Sequence, residues 1–208
     1  MTVQPQDSTQ LILIRHGQTP ANLANLWHGS TDTPLTDEGH RQADRMGQYV
    51  YDNFPHCNKV YCSPLERTRH TANALAKRLD QIPEPHNDLQ EYVIGEWEGE
   101  HFNSLKNKHY FFDKLKGDPH FAPTGGESIH NVSHRVTTAF HEIADNHKGE
   151  GVAIVSHGAA LAIALATLLH QDYYEWNQFQ FENTSVSVLR MAPDMKLEIY
   201  NSVTHLTT

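Results

Sequence analysis

The sequence predicts an α/β fold, a three-layer sandwich with a mostly parallel central sheet, an antiparallel edge strand and helices on both faces. Three observations carry this. Short apolar runs alternate with segments of helical length along the whole chain. The runs are nearly continuous in Leu, Ile and Val, as strands buried on both faces are. Near the end two such runs stand close together, separated by Pro193-Asp194, which is the pattern of a hairpin.

The first strand is expected over residues 11–14 and ends abruptly in Arg15-His16-Gly17. Thr36 stands where a helix N-cap belongs, and that helix is expected to reach about Asn53. A second strand is expected over 59–62. Ser63-Pro64-Leu65-Glu66 then has the form of a capping box with proline at the first helical position, predicting a helix to about Leu79. A weaker strand is expected near 86–89. Thr124-Gly125-Gly126-Glu127 repeats the Ser/Thr-x-x-Glu pattern ahead of a helix expected over about 128–147. A strand over 152–156 follows, then a buried Ala- and Leu-rich helix to about His170, and finally strands over 185–191 and 196–200. Residues 97–123 break the alternation with aromatics and lysines, Tyr110-Phe111-Phe112 among them. Two readings stay open for them: a small cap insertion over the carboxyl edge of the sheet, or an ordinary surface connection.

With 208 residues, 38% apolar and 20% charged, the chain suits one globular domain over 1–208, with the cap segment at 97–123. The first ten residues are polar, without an apolar signal core, and the longest apolar stretch, 159–169, falls short of the roughly 20 residues of a membrane span. A cytoplasmic protein with no membrane partner is expected. Cys57 and Cys62 are too few for a disulfide framework and lack zinc-site spacing, so reduced thiols are expected. A net charge of -9 argues against a nucleic-acid partner but not against a small anion. Bulk charge is screened over about 8 Å at physiological salt, whereas a cation about 4 Å from a phosphate in a sheltered pocket contributes on the order of 4 kcal/mol. Local arginines therefore decide affinity. Composition leaves the oligomeric state open.

In open α/β sheets ligands bind at the carboxyl ends of the strands. The first expected strand delivers Arg15 and His16 there; the second leads to Arg67, the third to Glu91, and the fourth ends in Ser156-His157-Gly158. Arginine forks match phosphate oxygens and keep their charge; a neutral imidazole is a nucleophile near pH 7; a protonated carboxylic acid donates to a leaving oxygen. These are the parts of phosphoryl transfer through a covalent enzyme intermediate.

The motifs also follow one another in a recognisable order. They are Leu13-Ile14-Arg15-His16-Gly17-Gln18-Thr19 with Asn22; Thr33-Pro34-Leu35-Thr36 with Gly39, Gln42 and Ala43; Ser63-Pro64-Leu65-Glu66-Arg67-Thr68 with Thr71-Ala72; Leu89-Gln90-Glu91 before Gly95 and Trp97-Glu98-Gly99; Gly125-Gly126-Glu127-Ser128; Val155-Ser156-His157-Gly158; and a tail from Asn201 to Leu206. In these the chain resembles the histidine phosphatase superfamily, the group that includes cofactor-dependent phosphoglycerate mutases and many small phosphomonoesterases. The resemblance implies a phosphoglycerate mutase-like fold and a metal-independent phosphomonoesterase, without a cofactor, acting through phosphohistidine on a small phosphorylated substrate. It implies His16 as nucleophile, Arg15, Arg67 and His157 as the groups that hold the phosphate, and Asn22 as a neutral donor. Glu91 would protonate the leaving oxygen and then activate water. Gln18, Thr19, Ser156 and Gly158 complete the expected substrate-binding set, with Gln18 replacing a glutamate common in many relatives. A phosphoglycerate mutase would use the same residues, and a non-catalytic phospho-ligand binding module is the alternative of another class. After Glu91 the run Tyr92-Val93-Ile94-Gly95-Glu96-Trp97-Glu98-Gly99 looks like the hydrolytic branch rather than the Glu-Arg-x-Tyr-Gly pattern of the mutases.

Other residues carry plainer readings. Glu96 and Glu98 are expected to be solvated or to support the site from outside, with Glu96 near enough in sequence to compete with Glu91. His130 and His134 have the spacing of a metal pair but no third ligand. His205 is expected in a surface hydrogen bond, with an approach to the site as the alternative. Tyr92, Trp97, Trp27 and residues 110–112 are expected to pack, and the cap reading lets some of them touch the leaving group.

Overall fold

The computed structural model describes residues 8–191 and 195–207. One sheet contains β1 (Gln10–Arg15), β2 (Cys57–Cys62), β3 (Glu84–Pro85), β4 (Gly151–Ser156), β5 (Val186–Arg190) and β6 (Lys196–Ser202), in the spatial order β3-β2-β4-β1-β5-β6. The first four strands of that order run parallel. β5 is antiparallel to both of its neighbours, so the antiparallel character of this edge comes from one reversed strand. The expected turn at Pro193-Asp194 lies outside the described residues. The helices are α1 (Pro20–Leu23), α2 (Asp37–Asn53), α3 (Glu66–Ala76), α4 (Phe102–Asn107), α5 (Phe111–Gly117), α6 (Ile129–Asn146) and α7 (Gly158–His170).

The apolar runs are continuous because both faces of the sheet are covered. Leu11 and Leu13 of β1 and Val152 and Ile154 of β4 join the core under α6 and α7. Their alternates Ile12, Ile14, Ala153 and Val155 join Met46 and Val50 of α2 and Leu75 of α3. All eight strand residues are fully buried. Each such Leu, Ile or Val contributes about 1.5–3 kcal/mol on burial, so the two central strands anchor both layers at once. Helix α7 is apolar all round and buried along residues 159–166, as a helix without a polar stripe must be.

Topology sets the position of the site. From β1 the chain crosses past β4 to reach β2, whereas from β4 it crosses past β1 to reach β5. The two crossovers leave in opposite directions and open a crevice at the carboxyl ends of β1 and β4.

Several local expectations give way to tertiary competition. The strand expected at 86–89 pairs only over Glu84–Pro85 at the sheet edge, where Pro85 brings no N–H to the ladder. The chain then turns into a 3₁₀ turn, Asn87–Leu89, capped by the His86 ring. Ser63 does not cap α3. Its hydroxyl is taken by His157, the N-cap position falls on Leu65, and the Glu66 amide is met instead by Asp32 Oδ1 at 2.8 Å. The helix also stops at Ala76, short of Leu79. Ser128 rather than Thr124 caps α6, because Glu127 is drawn into an ion pair with Arg135. Both cysteines are free and buried, and burial pushes each thiol up to about 11. Among the described residues no helix is long and apolar enough to cross a membrane.

The chain just after β1 crosses the start of α2 at backbone contact distance. A Cβ on Gly17 would stand 2.5 Å from the Gly39 carbonyl oxygen, and one on Gly39 would stand 2.2 Å from that of Gln18. Neither neighbour can retreat, because the Gln18 carbonyl accepts from the Thr36 amide at 2.9 Å. Gly39→Ala is expected to lower stability by about 1–3 kcal/mol, read as a lower urea midpoint at unchanged m-value.

Candidate active site

Arg15 ends β1 and His16 follows it, its amide held by the Ser156 carbonyl of β4 at 3.0 Å. The ring is 4% exposed, and its Nδ1 lies 2.7 Å from the Gly17 carbonyl oxygen. A carbonyl only accepts, so Nδ1 carries the proton and the Nε2 lone pair is left free. Burial, then Arg15 and Arg67, hold the His16 pKa well below its ordinary value despite the opposing Gly17 bond. At neutral pH the ring is therefore an uncharged base with one available nitrogen. Arg15 donates from one terminal nitrogen to the Phe181 carbonyl, and its buried Nε has no protein partner among the described residues. Gly158 lies against this guanidinium, where a Cβ would make an ordinary contact 3.4 Å from Nε.

Arg67, in the first turn of α3, is 2% exposed. Its guanidinium donates to the carbonyls of Thr31 at 2.8 Å and of His28 and Gly29, both at 3.1 Å. Its Nε donates to His157 Nδ1 at 3.2 Å. That leaves the His157 proton on Nε2, where it donates to Ser63 Oγ at 2.9 Å. His157 is fully buried and held neutral by burial first and by Arg67 next. Its ring stands 5.3 Å from that of His16. The loop that offers carbonyls to Arg67 turns its amides outward onto Glu98, whose carboxylate accepts from Gly29 N at 3.0 Å, Ser30 N at 3.2 Å, Thr31 N at 3.3 Å and Thr31 Oγ1 at 2.8 Å.

Glu91 lies at the amino end of α7. Its oxygens accept from the amides of Tyr92 at 2.8 Å, Ala160 at 2.9 Å and Ala159 at 3.1 Å. The segment that carries it is fixed from α6. Arg135 donates to the carbonyls of Asp88, Gln90 and Glu91 and forms a two-bond ion pair with Glu127. Ser156 Oγ adds a bond to the Leu89 carbonyl at 2.8 Å.

Arg15, His16, Thr19, Asn22, Arg67, Glu91 and Gly158 line one cavity of about 900 Å³. Thr19 and Asn22 cap α1 reciprocally, and Asn22 Oδ1 also accepts from Asn183 Nδ2 at 3.1 Å, leaving the Asn22 amide nitrogen free to donate. Three expected substrate contacts sit elsewhere. His157 is shut behind Arg67 with both ring nitrogens engaged, and Ser156 is spent on Leu89. Gln18 accepts from Thr36 Oγ1 at 3.0 Å beside the α2 cap and does not reach the cavity wall. Glu96 is exposed and off that wall. His205 is 6% exposed rather than superficial, and bonds Thr184 Oγ1 at 3.3 Å.

The family model of the histidine phosphatase superfamily, branch 1, matches residues 11–201. The chain belongs to that superfamily. Among individual relatives, the phosphoglycerate mutase-like protein 4 of Arabidopsis thaliana is 28% identical, over 96% of this chain and 88% of its own. The adenosylcobalamin/alpha-ribazole phosphatase of Salmonella typhimurium is 31% identical, over 77% of this chain and 79% of its own. The crystal structure of phosphoserine phosphatase from Entamoeba histolytica in complex with 3-phosphoglyceric acid superposes with a TM-score of 0.83 at 30% identity, covering 95% of this chain and 99% of that one.

Within this histidine phosphatase the motifs at the strand ends do converge, and the structure adds groups that sequence reasoning missed. Asn183 donates to the His16 carbonyl at 3.0 Å as well as to Asn22, ahead of β5 where no motif marked it. Arg135 has one weak signal, a cation set beside the buried Val132–Val136–Ala139 stripe of α6.

Two outcomes follow for stability and assembly. His16 and His157 have lowered pKa values in the folded protein, so below about pH 6.5 the unfolded chain binds the extra protons. Stability is complete above that pH and falls as the pH drops, by up to about 1.4 kcal/mol per unit for each ring. Urea unfolding between pH 7.5 and 5.5 checks this, with His16→Asn expected to flatten the slope by about one proton. Glu98→Gln weakens the cradle of the 29–31 loop and frees Arg67 to shift, so kcat/KM on a phosphomonoester is expected to fall about 10- to 100-fold and the urea midpoint to fall with it.

Proposed function

We propose that the protein hydrolyses the phosphomonoester of a small metabolite through a phosphohistidine formed on His16. The observation that carries this reading is the neutral, buried imidazole whose Nδ1 proton is held by Gly17, leaving Nε2 as the lone pair beside two arginines that face the cavity. Alpha-ribazole and phosphoserine phosphatases among the relatives support the substrate class.

In the first step Nε2 attacks phosphorus and the bond to the leaving oxygen breaks. A proton on Glu91 passes to that oxygen, so that an alcohol departs rather than an alkoxide. Arg15, through its unpaired Nε, and Arg67 stabilise the charge on the phosphoryl oxygens, with Asn22 adding a neutral donor. In the second step the Glu91 carboxylate takes a proton from water, the water oxygen attacks phosphorus, and the P–N bond breaks to return His16 and phosphate. Thr19 and Gly158 shape the wall around the phosphate. His157 acts through Arg67: a neutral Nδ1 accepts its Nε–H and fixes the fork, while Ser63 holds the ring. Helices α4 and α5 contribute to the same cavity, which supports reading residues 97–123 as a cap. Two free, unactivated cysteines support a reducing, cytoplasmic setting.

The test compares phosphate release with transfer. Phosphoserine, 3-phosphoglycerate and an aryl phosphate are offered, and both released phosphate and isomerised 3-phosphoglycerate are measured. Hydrolysis is expected to dominate, Glu91→Gln to lower it about 100- to 10,000-fold, and His16→Ala to abolish an acid-labile, base-stable phosphoenzyme. Isomerisation outrunning release would establish a mutase, and binding of the esters without any turnover by the unmodified protein would reduce it to a ligand-binding module.

A further inference from the structure

The phosphate site fills only one end of its cavity. About 900 Å³ is the scale of a pocket for a drug-sized molecule, far more than a phosphate on a three-carbon chain occupies. The rest of the wall carries four aromatic rings among polar and charged side chains that include Lys106, Asp113 and Lys116. Trp27 comes from the loop after α1, Phe102 from α4, Phe112 from α5, and Trp176 from the 3₁₀ turn that follows α7.

These four rings close a circuit. Trp27 stacks on Phe102 with centroids 6.3 Å apart and planes 16° from parallel. Phe102 meets Phe112 at 5.2 Å, Phe112 meets Trp176 at 6.0 Å, and Trp176 meets Trp27 edge-to-face at 6.5 Å. The Trp27 indole N–H is already bonded to the Tyr92 carbonyl at 3.0 Å, so its share of the wall is apolar. None of the four rings is fully buried, and Phe102 is 44% exposed. Rings from separate segments, packed against one another yet left facing a cavity, form a surface that lowers its free energy when an apolar ligand covers it.

Because the circuit and the arginines share one cavity, its occupant is the part of the substrate beyond the ester oxygen. We infer that this wall receives a flat aromatic ring carried by the leaving alcohol, so that the preferred substrates are phosphate esters of ring-bearing alcohols. The inference rests on the phosphatase reading and adds the identity of the leaving group. It separates this chain from the use of phosphoserine and 3-phosphoglyceric acid, whose leaving groups are short and polar.

The experiment measures kcat/KM for ethyl phosphate, phosphoserine, 2-phenylethyl phosphate and 2-(1-naphthyl)ethyl phosphate. All four leave as primary aliphatic alcohols, so a difference between them reports contact with the ring rather than a better leaving group. The naphthylethyl ester is expected to exceed ethyl phosphate and phosphoserine by about tenfold or more, mainly through KM. Trp176→Leu and Phe112→Leu are expected to bring that ratio down at least about threefold. Equal values for the four esters, a preference for phosphoserine, or variants that lower every ester by one common factor would overturn the inference and leave the phosphatase reading standing. If either variant fails to fold, the panel on the unmodified enzyme decides. No turnover of any ester defeats the phosphatase reading itself, and the inference with it.

Discussion

Burying the guanidinium of Arg67 without a carboxylate bonded to it, among the described residues, governs the architecture of the site. An uncompensated buried cation costs several kcal/mol, and here the compensation comes from three carbonyls of one loop and from the neutral ring of His157. Each of those groups then makes a demand of its own. The loop must keep its carbonyls inward, so its amides need an acceptor on the other side, and Glu98 supplies one. His157 must stay neutral to accept, so its Nε2 proton needs Ser63. Ser63 is then lost as a helix cap, and Asp32 takes over at the Glu66 amide. A direct ion pair would have held Arg67 more simply, but it would also have neutralised the charge that a substrate anion is meant to meet.

In the proposed reaction, the arginines that would meet the anion also keep His16 uncharged. Arg15 and Arg67 both act against protonation of His16, and burial acts the same way. Burial lowers the pKa of each arginine and Glu91 opposes it, an electrostatic link between them although no hydrogen bond joins them among the described residues. A phosphate dianion entering between the arginines would bring negative charge beside both guanidiniums. The acid is held separately, by amides at the amino end of α7 and by the Arg135 clamp on its backbone. His16 after β1 and the Glu91 carboxylate at the amino end of α7, the proposed nucleophile and acid, thus line the same cavity from different elements.

What was legible in the sequence follows from what is decided locally. The runs at 11–14 and 152–156 read as strands because both faces are apolar, and their ends carry Arg15 and His157, whereas Glu91 follows a 3₁₀ turn in place of the strand expected at 86–89. The readings that failed concern short polar side chains with a choice of partners. Ser63 and Glu127 each stand in a sequence that caps helices well, yet the hydroxyl goes to His157 and the carboxylate to Arg135. Gln18 and Ser156 lie in the right motifs and still spend their polar atoms on Thr36 and Leu89. Asn183 and Arg135 act on backbone carbonyls, a use that leaves no trace in residue type or spacing.

The layered α/β fold and the succession of its principal strands along the chain were legible from residues alone, because burial on two faces and the period of apolar residues are written locally. Only the tertiary structure decided which polar atoms remain unpaired and face the substrate. His157 and Ser63 are 94 residues apart and Arg67 and His157 are 90 apart, so their bonds form only when the sheet brings three segments together. Each such bond removes one candidate from the phosphate, and the groups left over, His16 Nε2 and Arg15 Nε among them, are defined by contacts that the linear chain does not contain.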